Sequence, residues 1–238
     1  MGLKHAPRDI LRAVRSILQP TWVRAMPIKR GVPHTLPGKL IVSLTSYPPR
    51  YPTLDLTLRR LLNQDMAPDA IVLWIAHQDR ASLPLRVERL RDHGLVIKEC
   101  TDLSSYKKIV PALAAYPDAF IAICDDDTNY PDNWLRALVE EHRHPREVLC
   151  HKARRVAIDL DGNPIPYTSW PMLLEEASGK SVLPIGFGGV LYPPGSLPPE
   201  TADASRFMPL CPGGDDLWFW WHFRMGGSTA RKVSAIKR

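Results

Sequence analysis

Three consecutive carboxylates, Asp125, Asp126 and Asp127, end the apolar run Ala119-Phe120-Ile121-Ala122-Ile123-Cys124. The run has the length and composition of a fully buried strand, so the acids fall where a sheet stops and a loop begins. Adjacent anions repel one another, and removing them from water sharpens the repulsion unless a cation is held among them. A hard divalent cation such as Mg²⁺ or Mn²⁺ meets that need, because it takes carboxylate oxygens and shares them with phosphates. On an extended segment residues two apart point to the same side, so Asp125 and Asp127 are expected to converge on one ligand. Ligands of open α/β sheets collect beyond the carboxyl ends of the strands, where this cluster lies. The competing reading is a solvated acidic turn that caps the next helix.

The elements that must position these acids follow from the pattern of apolar runs. A connector with Pro27, Pro33 and Pro37 leads into a first strand over 39–44 and the loop 45–50. A helix through Leu54, Leu58, Leu61 and Leu62 comes next, then a strand over 70–76 and a helix over 84–92. A strand over 95–100, a helix over 105–115 and the strand 119–124 complete the first half. This alternation predicts an α/β fold, a mostly parallel sheet with helices on both faces. The second half reads differently. A helix led by Pro131-Asp132-Asn133-Trp134 precedes strand-like pieces at 147–151 and 156–160 and the turn Asp161-Gly162-Asn163-Pro164. The loop Gly186-Phe187-Gly188-Gly189 lacks the Lys-Ser/Thr that completes a P-loop, so it is expected to shape a floor and not to cradle phosphate. Leu217–Phe223 reads as a dense aromatic helix whose Trp218, Trp220 and Trp221 belong to the core. The chain stops soon after a strand-like segment, which leaves room for a C-terminal continuation.

Composition narrows the class. The 238 residues allow one sizeable domain, and 45% hydrophobic with 24% charged residues is ordinary for a soluble globular protein. No apolar stretch is long enough to span a bilayer, and the start lacks a secretory h-region. The four cysteines, Cys100, Cys124, Cys150 and Cys211, form no Cys-x-x-Cys pair. Reduced thiols in a cytoplasmic setting are expected, without structural zinc. The net charge of +6 is uneven: residues 1–39 carry eight Lys/Arg against Asp9 alone, or +7, which leaves −1 for the rest. Ile10, Leu11, Val14, Ile17 and Leu18 fall at helical spacing, with Arg8, Arg12 and Arg15 on other faces. Such a basic amphipathic helix either lies on an anionic membrane surface or packs on the domain's own flank. Nucleic acid is not an expected partner, because the basic residues are not interleaved with aromatics in a groove-like array.

The segments IVSLTSYPPR (41–50), DLSSYKKIVPAL (102–113), CDDDTNYPDNW (124–134), GFGGVLYPP (186–194) and GGDDLW (213–218) together resemble bacterial glycosyltransferases of the GT-A fold, similar to family 2. The resemblance runs from Leu40 to Phe223. It implies a GT-A-like, Rossmann-like sheet and a nucleoside-diphosphate sugar donor, with a UDP-sugar expected. It further implies Mn²⁺ or Mg²⁺ held through an Asp-x-Asp motif, and a carbohydrate or lipid-linked glycan acceptor. Residues 1–38 would be a basic segment and linker ahead of a domain at 39–238, with a nucleotide-sugar-binding half (39–134) and an acceptor-binding half (135–238). Carried onto this chain, Asp125 lies by the ribose or sugar and the metal, Asp126 faces the donor, and Asp127 coordinates the metal bridging the diphosphate. Many family members carry an aspartate where Cys124 stands. The base and ribose rest on Thr45, Ser46, Tyr47, Arg50 and Asp102. Lys107 and Lys108 open a helix, with Lys108 toward phosphate unless both are simply solvated. Gly188 and Gly189 form the floor between donor sugar and acceptor. Tyr167 and Trp170 are candidates for stacking on an acceptor sugar, and His151, Arg154 and Arg155 for meeting an anionic one.

The pair Asp215-Asp216 resembles the acidic pair that supplies the base in inverting members. Asp216 would take the acceptor hydroxyl's proton, and a helix N-terminus after Gly213-Gly214 favours its ionised form. A plain helix cap is the alternative. His222 is expected to be packed or exposed, not a metal ligand. The implied work is building a surface polysaccharide or lipid-linked glycan in the cytoplasm, peripheral to the inner face of the membrane. A non-catalytic sugar-nucleotide-binding module is the alternative from another class, and a metal-dependent nucleotidyltransferase is a further one. The latter is disfavoured because no glycine-rich, lysine-bearing loop follows Leu44. A haloacid-dehalogenase-type phosphatase would need Thr or Val where Asn129 stands.

Overall fold

In the computed structural model, which describes residues 20–234, apolar runs from both halves of the chain enter one eight-stranded sheet. The strands in chain order are β1 (Val32–Pro33), β2 (Leu40–Thr45), β3 (Met66–Ala67), β4 (Ala70–Ala76), β5 (Leu95–Cys100) and β6 (Phe120–Ile123). They continue with β7 (Glu147–Cys150), β8 (Ala153–Arg155), β9 (Ala177–Gly179), β10 (Val182–Pro184), β11 (Val190–Tyr192) and β12 (Thr229–Lys232). After a helical stretch at 20–25, the α-helices are α1 (Tyr51–Leu62), α2 (Leu85–Glu88), α3 (Val110–Ala115), α4 (Trp134–Glu140), α5 (Ala204–Leu210) and α6 (Asp215–Met225). The sheet order is β5-β4-β2-β6-β11-β7-β12-β9. β5, β4, β2 and β6 are parallel neighbours. β11 runs against both β6 and β7, so β7 and its parallel neighbour β12 run with the first four. β1 with β3, and β8 with β10, form separate pairs.

Period-two alternation along β2 divides the core. Leu40, Val42 and Leu44 face one side with Leu54, Leu58 and Leu61 of α1, while Ile41 faces the other with Tyr106, Phe207 and Phe219. Each fully buried aliphatic chain contributes about 1.5–3 kcal/mol, which ties helix and strand together without further devices. From β2 the chain builds β4 and β5 on one side, then crosses back to lay β6 on the other. That reversal opens a crevice at the carboxyl ends of β2 and β6, where the loops after Thr45 and Ile123 emerge.

Three sequence expectations fail locally. The helix expected over 105–115 is a 3₁₀ turn, Ser104–Lys108, followed after Ile109 by α3. Pro111 cannot donate to a carbonyl one turn back, so the α-helix starts just before it. The helix expected over 84–92 is a single α turn running into a 3₁₀ segment, ended by Gly94 at φ 99°. No strand forms over 156–160. Asp159 instead accepts the N–H groups of Asp161 and Asn163, which turns the chain. The basic amphipathic helix expected over 10–18 lies outside the described residues.

Candidate active site

The loop after β2, the loop after β6, the 3₁₀ turn Ser104–Lys108 and the start of α6 line one cleft of about 510 Å³. Thr45, Ser46, Tyr47, Arg50, Asp102, Lys108, Asp125, Asp126, Asp215 and Asp216 all line it. Residues distant in sequence and singled out for different parts of one reaction thus share one cavity. Asp127, Gly188 and Gly189 are not among its lining residues.

The acidic loop departs from the extended form assumed for it. Cys124 and Asp125 continue past the strand, but Asp126-Asp127 is a turn, so Asp125 and Asp127 do not converge. Asp125 faces Lys108, whose ammonium is 3.0 Å from its Oδ1. Asp126 accepts the Ser46 hydroxyl at 2.5 Å, and Asp127 is exposed and paired with Arg50. Burial, ahead of the neighbouring acids, lifts the Asp126 carboxyl above its ordinary range. Among the described residues no three His, Cys, Asp or Glu side chains gather to hold a metal by themselves. Mg²⁺-like cations commonly take one or two carboxylates and complete their shell with substrate phosphates and water. Asp125 and Asp126 at the crevice fit such a shared cation. An all-protein metal cage does not fit.

On the opposite wall Lys108 reaches Asp215, at 2.9 Å from Oδ2, and the Ser105 hydroxyl donates to Asp215 Oδ1 at 3.0 Å. Neither lysine of the pair is solvated as a surface helix would have it: Lys107 and Lys108 are buried, and Lys107 pairs with Asp102. Asp102 also accepts Gln78 Nε2 and the Ser104 N–H. Chiefly the Lys107 bond holds its carboxyl below the ordinary range. Ser104, at φ 53°, is the one non-glycine with positive φ among the described residues. That conformation costs an L-residue about 1–2 kcal/mol and is held here at the cleft wall.

Asp216 does not cap its own helix; its Oδ1 accepts the N–H of Gly186 at 3.0 Å. Asp216 is partly buried and lines the cleft. Desolvation pushes its pKa up to about 7, with Lys108 pulling down and Asp215 pushing further up. Burial therefore outweighs the helix-terminus field that was expected to favour the ionised form.

The glycine loop is structural in a way the sequence did not show. Gly188 O accepts Trp134 Nε1 at 2.8 Å. Gly189, at φ 102°, lies so close to the Trp134 indole that a Cβ would be 2.3 Å from Nε1. Phe187, between them and Gly186, is the loop residue that lines the cleft, and the Lys152 ammonium lies 4.1 Å from its ring centroid. Three other residues were missed. The buried Tyr130 hydroxyl takes the Asp125 N–H and donates to Phe187 O, both at 2.9 Å, which ties the acidic loop to the glycine loop. Tyr106 stacks on Phe207 at 4.0 Å and donates to Cys211 O, and so brings Ser105 beneath Asp215. An apolar environment around a tyrosine with two loop partners leaves no local signal in the sequence.

Other expectations meet different surroundings. Trp170 is buried and donates to Ile165 O, so of the proposed stacking pair only Tyr167 is exposed, with Arg154 at 5.0 Å from its ring. Trp221 is exposed while Trp218 and Trp220 are core. His222 is buried against the Trp218 carbonyl. His151 bonds to the Trp134 carbonyl, and burial lowers its pKa to about 4, so it does not meet an anion as a cation.

No protein-family model matches the sequence, and none of the curated proteins does. Among solved structures the chain is similar to the mannosyltransferase PcManGT from Pyrobaculum calidifontis in complex with GDP-Man and Mn²⁺, at 15% identity and a TM-score of 0.40. That likeness covers 58% of this chain and 42% of the other. It is also similar to 4-diphosphocytidyl-2C-methyl-D-erythritol synthase from Anaerococcus prevotii, at 12% identity and 0.49, over 79% and 84% of the two chains. A third neighbour is glucosyl-3-phosphoglycerate synthase from Mycobacterium tuberculosis in complex with UDP, at 13% and 0.37, over 48% and 44%. This chain thus spans less than half the length of the first and third. The neighbours named are a mannosyltransferase and two synthases, and this chain's own fold is mixed α/β with a mostly parallel sheet.

Proposed function

We propose that this chain is a glycosyltransferase that moves a sugar from a nucleoside diphosphate, with inversion, to the hydroxyl of a glycan or lipid-linked acceptor. The observation that carries this is the meeting of two carboxylate pairs in one cleft: Asp125 and Asp126 from the switch point of the sheet, Asp215 and Asp216 from the start of α6. One pair suits a cation shared with a diphosphate and the other a base for the incoming hydroxyl.

Thr45, Ser46, Tyr47 and Asp102 form the wall for the nucleoside, with Arg50 at the rim. A divalent cation held by Asp125 and Asp126 would offset charge gathering on the departing diphosphate. Asp127 joins that set only where Arg50 releases it. In the reaction the acceptor oxygen bonds to the anomeric carbon as the bond to the diphosphate oxygen breaks. The hydroxyl proton passes to Asp216, whose pKa near 7 suits a base at neutral pH. The transition state is oxocarbenium-like, as in glycoside hydrolysis, and buried carboxylates favour positive charge at that carbon. Phe187, exposed and lining the cleft, is the aromatic surface proposed for an acceptor sugar. Attachment of the acceptor to lipid agrees with the basic segment that opens the chain. No helix among the described residues is long and apolar enough to cross a membrane.

The test is a panel of UDP- and GDP-sugars with Mn²⁺ or EDTA, read by thermal shift and by release of nucleoside diphosphate. A ligand that prefers the folded state raises the melting midpoint. One donor is expected to stabilise the protein and to be consumed in the presence of acceptor glycans, with EDTA stopping the release. A binding module would show the stabilisation with no release. Pyrophosphate release from a nucleoside triphosphate would mark a nucleotidyltransferase.

A further inference from the structure

Resting on that reading of the cleft, we propose that Lys108 is a positioning residue that locks the donor-side carboxylate Asp125 to the acceptor-side carboxylate Asp215, and that it does not bind the donor's phosphates. The sequence pairs it with Lys107 and points it toward phosphate. In the fold it is buried at 5% exposure, with its Nζ 3.0 Å from Asp125 Oδ1 and 2.9 Å from Asp215 Oδ2. The ammonium donates to Asp125 and forms an ion pair with Asp215, and the two carboxylates approach it from different elements.

The surroundings hold it there. Its carbonyl accepts the Ser43 hydroxyl at 2.6 Å, and that hydroxyl in turn accepts Trp74 Nε1 at 3.0 Å, so β2 and β4 fix the backbone behind the side chain. On the other side Gly186 closes the space: a Cβ there would be 2.8 Å from Lys108 Nζ and 2.8 Å from Asp216 Oδ1. The two carboxylates and Gly186 hold the ammonium against the cleft wall, so a phosphate would compete with both anions for it. Lys107 leaves no alternative, since Asp102 holds it.

The consequence is geometric. Asp125 belongs to the loop after β6 and Asp215 to the first turn of α6, and a single ammonium sets the gap between the donor site and the base beside Asp215. Misplacement of reacting groups by about 1 Å lowers turnover on the order of 100-fold. A residue acting only through position leaves the binding of a nucleoside diphosphate nearly unchanged.

The experiment compares wild type, Lys108→Met and Gly186→Ala for binding of UDP with Mn²⁺ by calorimetry, with GDP in its place where the wild type prefers it. Turnover is read in parallel as nucleoside diphosphate release. Lys108→Met is expected to keep its dissociation constant within about threefold of wild type while kcat falls about 100-fold. Gly186→Ala keeps the ammonium but crowds it together with the Asp216 carboxyl, so kcat is expected to fall about tenfold or more. The part that reports on Lys108 is the UDP dissociation constant, expected within about threefold of wild type where a phosphate ligand would lose more than tenfold. This variant carries the test alone if Lys108→Met does not fold. Binding weakened more than tenfold in Lys108→Met makes Lys108 a phosphate ligand and overturns the proposal, as does wild-type kcat in either folded variant. A wild-type protein that binds no nucleotide and releases none refutes the glycosyl transfer itself, an outcome distinct from any difference among the variants.

Discussion

Replacing Asp216 with asparagine should make the protein more stable, and more so at high pH than at low. The residue is partly buried and its pKa is pushed from 3.8 up to about 7, with desolvation as the leading cause. The folded state therefore holds a proton that the unfolded chain has already released between those two values. Stability falls as pH rises through that window, because unfolding releases the proton. Each pH unit within it corresponds to 1.36 kcal/mol, so going from pH 5 to pH 8 removes up to about 3 kcal/mol that Asp216→Asn does not lose. Asparagine keeps an Oδ1 to accept the Gly186 N–H, so the hydrogen bond is not the variable. For a chain of this length about 2–4 °C accompanies each kcal/mol. The difference in melting midpoint, variant minus wild type, is then expected to grow by up to about 6–12 °C between the two pH values. Calorimetric melts of both proteins at pH 5 and pH 8 provide the measurement. A difference that stays constant with pH would show Asp216 ionised at ordinary pH, and the argument for a base poised near neutrality would collapse. The same substitution is expected to lower transfer on the order of 10²–10⁴-fold, with wild-type turnover rising through about pH 7 to a plateau.

Other outcomes follow from the same structure. Asp126→Asn is expected to weaken the dependence on Mn²⁺ and turnover about 10–100-fold, more than Asp127→Asn, since Asp127 is exposed, paired with Arg50 and not among the residues that line the cleft. Equal losses in a Mn²⁺ titration would place the cation on the Arg50 side instead. Gly189→Ala should destabilise by about 2–5 kcal/mol, since it forces a methyl into the Trp134 indole at a positive φ. Urea unfolding checks this, and unchanged stability would contradict the packing. Asp55, buried between Arg24 and Arg86 at 2.7 Å and 3.0 Å, is held below its ordinary pKa by both guanidiniums although burial pushes the other way. Asp55→Ala is expected to lose about 2 kcal/mol at pH 7, less than a fully buried pair because both arginines are half exposed. The loss should shrink as pH falls below the unfolded carboxylate range, since the wild type forfeits the same contribution there.

How far the sequence could be read depended on the range of the forces involved. The strands Leu40–Thr45 and Phe120–Ile123 and the placement of Asp125 and Asp126 at the switch point were legible, because apolar run length and strand–helix alternation are local signals. Asp127 was misplaced because the two-residue alternation holds only while the chain stays extended, and the turn begins at Asp126. The break between Lys108 and Val110 was foreshadowed by Pro111 and could have been read. Lys108 could not. Its burial depends on Asp215, a partner contributed by a helix near the other end of the chain, and paired lysines in isolation read as solvated. The same holds for Gly189, which needs to be glycine only because Trp134 packs across it.

The most direct measurement is the anomalous signal of Mn²⁺ in crystals grown with UDP. The cation is expected within coordination distance of Asp125 or Asp126, bridging to the diphosphate, with the nucleoside against Thr45, Ser46, Tyr47 and Asp102. Nucleotide seated in another cavity, or Mn²⁺ bound away from these two carboxylates, would contradict the account.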